Sequence, residues 1–81
     1  MAKANVRGIQ NVCRKYAKLI ETKNRLPFVA IEMANVNALK EEIESKYESV
    51  VVDVKDNWLY VSKELSNIYI VRYRVVNNKN N

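Results

Sequence analysis

The sequence predicts an α+β fold, a two-layer α/β sandwich in the order α-β-α-β-β-β, with two helices on one face of a four-stranded mixed sheet. Three observations carry this. Apolar residues recur at helical spacing in 4–23 and again in 36–47. The segment 26–34 is apolar on both faces, as an interior strand is. The stretch 48–76 alternates like strands around a turn at Asp56-Asn57.

The first element is a helix over 4–23. Val6, Ile9, Cys13, Tyr16 and Ile20 fall on one face, widened by Val12 and Leu19. Arg7, Asn11, Arg14 and Lys18 lie opposite, flanked by Lys3 and Lys15. Asn24 suits a left-handed residue just past the helix, and Pro27 forbids continuation. Gly8 inside the helix costs about 1 kcal/mol relative to alanine. Either the helix begins later or a neighbour packs closely there.

The first strand is LPFVAIEMA, 26–34, with Phe28 and Ala30 on one side and Val29, Ile31 and Met33 on the other. Asn35 is placed to cap a second helix, 36–47. Its apolar stripe is Val36, Leu39, Ile43 and Tyr47, with Glu41, Glu42 and Glu44 toward water. A crossover through this helix leads into an antiparallel meander.

In the meander, a two-residue loop at Asp56-Asn57 sets the register by counting: Lys55 opposes Trp58, Val54 Leu59, Asp53 Tyr60, and Val52 Val61. One face then carries Val50, Val52, Val54, Leu59 and Val61, and the other carries Trp58 and Tyr60. In the last strand, 68–76, Arg72 and Arg74 are too costly to bury unpaired. That directs Tyr69, Val71, Tyr73 and Val75 inward, and Ile68, Ile70, Arg72 and Arg74 outward. The whole is read as one domain, 1–76, with a disordered tail, 77–81.

The inventory of reactive groups is short. The 81 residues include one cysteine, Cys13, one glycine and no histidine. Histidine-based catalysis, the usual zinc sites and glycine-rich phosphate loops are therefore excluded. Cys13, between Ile9 and Tyr16, reads as a small buried hydrophobe. Glu41, Glu42, Glu44 and Glu48 read as a solvated face rather than a metal site. No cofactor is expected, nor an enzyme. There is no apolar run of membrane-spanning length and no apolar stretch in MAKANVRGIQ, so a cytoplasmic setting without membrane contact is expected.

Charge is uneven. The net value is +5, yet residues 1–25 hold seven cations against the single acid Glu21. Such asymmetry points to an anionic partner or a basic arm.

Two surfaces follow as candidate sites. The outer sheet face, with Lys55, Trp58, Tyr60, Ile70, Arg72 and Arg74, interleaves rings with cations. Trp, Tyr and Arg are the anchors of protein interfaces, and Ile68 and Ile70 add apolar area, so a host protein or a second copy of the chain is the first expectation. The same rings and guanidinium groups suit single-stranded DNA or RNA as the alternative. The bland reading is a sheet stabilised by cross-strand pairs. The basic helix face, Lys3, Arg7, Arg14, Lys15 and Lys18, is the second nucleic-acid candidate, against the bland reading of a solvated stripe. Frequent Asn, Lys, Ile and Tyr fit an AT-rich coding sequence. The expectation is a small non-enzymatic binding protein of phage or virus type, an inhibitor or regulator acting by stoichiometric contact in the host cytoplasm.

Overall fold

The computed structural model describes residues 1–77. Eight elements follow one another: α1 (Val6–Tyr16), β1 (Ala17–Thr22), β2 (Arg25–Glu32), the 3-10 turn Met33–Asn35, α2 (Val36–Lys46), β3 (Val50–Lys55), β4 (Trp58–Lys63) and β5 (Tyr69–Val76). The sheet has five strands in the order β1-β2-β5-β4-β3. Only the β2–β5 pairing is parallel.

The fold is thus α+β as expected, with one strand more. The helix expected over 4–23 stops at Tyr16, because Ala17 is already extended at φ −82°, ψ 151°. Residues 17–22 instead form a hairpin with β2 through a turn at Lys23 and Asn24, with Ala17 opposite Ile31 and Ile20 opposite Phe28. Leu19 and Ile20 fit the helical stripe, but Ile20 and Thr22 are β-branched and suit a strand equally well. Pairing with β2 decides between them. It makes β2 an interior strand, between β1 and β5, as read from the sequence, although Leu26 and Val29 stay exposed.

At its other end α1 is well specified. The Asn5 side chain accepts a hydrogen bond from the Gly8 amide at 2.6 Å, capping the first turn. Gly8 is explained by packing. The Tyr47 hydroxyl occupies the space a Cβ there would need, with Tyr47 Cζ only 3.0 Å from that position. The chain before α1 runs beside the end of α2, where the Ala2 amide donates to the Lys46 carbonyl and the Glu48 amide to the Ala2 carbonyl.

The start of α2 differs from expectation. Asn35 makes no side-chain cap, since the preceding 3-10 turn already places it in the helical region. The apolar stripe is as read: Val36, Leu39, Ile43 and Tyr47 are buried. With Ile9, Val12 and Cys13 of α1 they cover Ile31, Val50, Val52, Leu59, Val61, Val71 and Val75 of the sheet. Glu42 and Glu44 do not simply face water. Glu42 accepts from Lys15 Nζ at 2.6 Å and from the Tyr16 hydroxyl at 2.7 Å, tying α2 to the end of α1. Glu44 reaches Lys40 and the backbone of β3.

The β3–β4 register is the one counted from the turn: Lys55 with Trp58, Val54 with Leu59, Asp53 with Tyr60, Val52 with Val61. Asp56 and Asn57 both have positive φ, 54° and 68°, which Asp and Asn tolerate in tight hairpin turns. The β4–β5 pairing breaks register once. Val61 pairs with Val71, but Ser62 pairs with Tyr69, so Ile70 is an extra residue in a bulge. The bulge reverses the expected phase before Val71. Ile70 packs against the core, and Tyr69 turns to the open face. Of the expected disordered tail, 77–81, only Asn77 is described; 78–81 lie outside the described residues.

Candidate functional site

The helices cover one side of the sheet and leave the other open. On the open side, cross-strand pairing sets Trp58 beside Arg74 and Tyr60 beside Arg72. The side chains then interleave. The Arg72 guanidinium lies 4.3 Å from the centre of the Trp58 ring and 5.6 Å from that of Tyr69. The Arg74 guanidinium lies 5.4 Å from Trp58 and 4.8 Å from Phe28. Arg25 sits 5.9 Å from the far side of the row, at Phe28. Tyr60 and Tyr69 close the other end with ring centres 5.6 Å apart. A row of alternating guanidinium groups and rings therefore runs across β2, β5 and β4.

Each contact has a local cause. Strand alternation puts Trp58 and Tyr60 opposite the buried Leu59 and Val61. The same alternation puts Arg72 and Arg74 opposite the buried Val71 and Val75. Phe28 reaches the row because β2 lies directly beside β5, with Ala30 opposite Arg74. Tyr69 reaches it through the bulge.

β2 pairs with β5 only through Ala30–Glu32. The strands part on the near side of this pairing, and a hollow of ≈ 310 Å³ lies in the fork, lined by Phe28, Val29, Trp58, Arg72, Tyr73 and Arg74. A larger one of ≈ 570 Å³ adjoins it, bounded by Arg25, Phe28, Asp56, Asn57, Trp58 and Arg74. The two share Phe28, Trp58 and Arg74 as a common wall.

Among the described residues, no ion pair joins Arg25, Arg72 or Arg74 to a carboxylate; the three salt bridges use Lys15, Lys18 and Lys40. A cation over a ring is stabilised by the ring's negative face but keeps its full charge and free N–H donors. The row can therefore receive an anion while offering flat surfaces beside it.

Of the expected outer-face residues, Lys55, Trp58, Tyr60, Arg72 and Arg74 lie on the open side, with Lys55 paired opposite Trp58. Ile70 does not, because the bulge draws it inward. Arg25, Phe28 and Tyr69 are additions. Phe28 was reachable once β2 stood next to β5, since only the small Ala30 separates it from the centre of the sheet along its face. The bulge left no such signal.

The second candidate surface comes apart. Lys18 is not on a helix but on β1, opposite Ala30, and pairs with Glu32 at 3.1 Å. Lys15 is held by Glu42. Arg14 lies by the Tyr73 hydroxyl, whose acidity is weakened mainly by burial. Lys3 sits in a small hollow with Ala4, Glu48, Ser49 and Lys63. Arg7 stays exposed on α1. The five cations of Lys3, Arg7, Arg14, Lys15 and Lys18 thus form no continuous stripe.

Among the described residues no group of three or more potential metal ligands converges, and no helix is long and apolar enough to cross a membrane. Cys13 is fully buried, and burial pushes its thiol up to about 11. No family model, curated protein or solved structure matches the chain.

Proposed function

We propose that this chain is a non-enzymatic binding protein whose open sheet face takes single-stranded nucleic acid. The observation that carries the reading is the row Arg25, Phe28, Arg74, Trp58, Arg72 and Tyr69, in which three guanidinium groups, without carboxylate partners among the described residues, alternate with rings. Single strands present bases to stack and phosphates to neutralise, in alternation. Bases stack on guanidinium planes as well as on rings, a base on an aromatic ring being worth about 1–3 kcal/mol. The displacement of Ile70 from the face supports this over a protein partner, since it removes apolar area that an interface would use.

The test uses Trp58, the single tryptophan, as the reporter. Single-stranded homopolymers should quench its fluorescence, with log affinity falling against log salt at a slope of about −2 for three phosphates neutralised. Arg72→Ala and Arg74→Ala should each weaken binding and flatten that slope. An unchanged emission together with no retardation in a gel would remove this function.

A protein partner or a second copy on the same face is the second reading. Exposed Ile68 and Tyr69 at one end of the row favour it. It would appear as a weak salt dependence, indifference to oligonucleotides and, for a second copy, a dimer in light scattering that Trp58→Ala abolishes.

A further inference from the structure

The sheet ends at β3, an edge strand that among the described residues is paired on one side only, with β4. Such an edge offers unpaired amides and carbonyls to any other strand. At the centre of β3 both groups of one residue are already taken. The Val52 amide donates to Glu44 Oε2 at 3.0 Å, and Lys40 Nζ donates to the Val52 carbonyl at 3.3 Å. Lys40 and Glu44, one turn apart on α2, are joined at 2.8 Å. The side chains of one helix thus copy the two hydrogen bonds that a neighbouring strand would make.

The strand beneath this clamp is complementary to itself. In an antiparallel ladder, residues two apart present their backbone groups to the same side. Val52 points its groups outward, so Val50 and Val54 do as well. A two-fold axis through Val52 would set Val52 against Val52 of a second copy, Val50 against Val54, and Val51 against Asp53. No like charges would meet. The valines of the helix side would form one stripe, covering Val54, which is 38 % exposed. Valine is among the strongest strand formers, and this strand is VVVDVK.

We infer that the β3 edge is a strand-pairing surface for a second copy of this chain, held shut by the Lys40–Glu44 pair clamped on the Val52 backbone. The clamp keeps the chain monomeric through this edge and leaves the open sheet face unaffected. The inference is independent of what that face binds.

Light scattering and amide exchange test it together. In the wild type, Val52 should exchange slowly although it lies on an edge, and no dimer should form through β3. In a variant carrying Lys40→Met and Glu44→Leu, Val52 exchange should rise by about tenfold or more in dilute solution, as an unpaired edge amide does. As concentration rises, exchange should slow again while the mass doubles. Adding Val54→Lys to that variant should restore the monomer. If the double variant fails to fold, Glu44→Ala alone carries the same comparison. A folded variant that stays monomeric at every concentration overturns the inference. So does a dimer indifferent to Val54→Lys, or a wild-type Val52 amide that exchanges like a free peptide.

Discussion

The hydroxyl of Tyr47 stands where Gly8 would carry a Cβ. Gly8 lies in the first turn of α1 and Tyr47 just past the end of α2, and Tyr47 is buried at 5 % exposure. Gly8→Ala should therefore destabilise the protein, although alanine favours an exposed helix by about 1 kcal/mol. Overpacking of this kind costs about 1–3 kcal/mol. Adding Tyr47→Phe, which removes the obstructing oxygen, should recover most of the loss in chemical denaturation. Equal losses in the single and double variants would mean that the contact is not the cause.

The row on the open face predicts a coupling. Trp58→Ala and Arg72→Ala each remove one member of a pair 4.3 Å apart. A double-mutant cycle by denaturation should give about 0.5–1 kcal/mol of interaction, the range of an exposed cation over a ring. Independent losses would place the guanidinium elsewhere in solution.

Ile68 and Ile70 are two positions apart and would share a face in a regular strand. The bulge separates them. Ile68→Asp, at a position 76 % exposed, should change stability by less than about 0.5 kcal/mol. Ile70→Asp puts a carboxylate against the core and should cost about 2 kcal/mol or more. Equal effects in thermal melts would argue for an unbroken strand.

Acid should loosen the helical layer. The Glu42 carboxyl is held below its usual range by hydrogen bonds from Lys15 and Tyr16. For Glu44, burial pushes the carboxyl upward, but the Lys40 hydrogen bond, the Val52 amide and the Lys40 charge outweigh it and leave it lowered. The folded chain therefore resists protonation more than the unfolded one. The resulting stability is complete above the ordinary carboxylate range, about pH 4–4.5, and is lost as pH falls through the lowered values. In Glu42→Gln with Glu44→Gln the midpoint of urea unfolding should fall less steeply between about pH 5 and 2 than in the wild type.

Cys13 should be silent toward thiol reagents. It is fully buried, and burial pushes its thiol up to about 11. At pH 8 a maleimide should react only at the rate of global unfolding, and the rate should rise with urea. Prompt labelling of the native protein would show that α1 lifts away from the sheet.

The sequence was legible where one periodicity prevailed. The stripe of α2, the count around Asp56-Asn57 and the burial of Val71 and Val75 all rested on a single unambiguous phase. Residues 17–22 carried two. Leu19 and Ile20 continue the helical stripe of Tyr16, yet they pair with Val29 and Phe28 of β2, so only the sheet settles the choice. Phe28 and Arg25 were missed at the site for the same reason, because their neighbours depend on where β2 lies. The bulge at Ile70 has no local signature: nothing in the alternation of Ile68, Ile70, Arg72 and Arg74 marks the extra residue.

β5 lies in the middle of the sheet yet comes last along the chain. The β1–β2 hairpin and the β3–β4 hairpin can each zip locally, but neither touches the other in the sheet until the carboxy-terminal strand slides between them. On the ribosome the two hairpins must wait, open, until β5 has cleared the exit tunnel. Contacts of such wide sequence separation slow folding, so the two hairpins stay unlocked from each other until β5 has emerged.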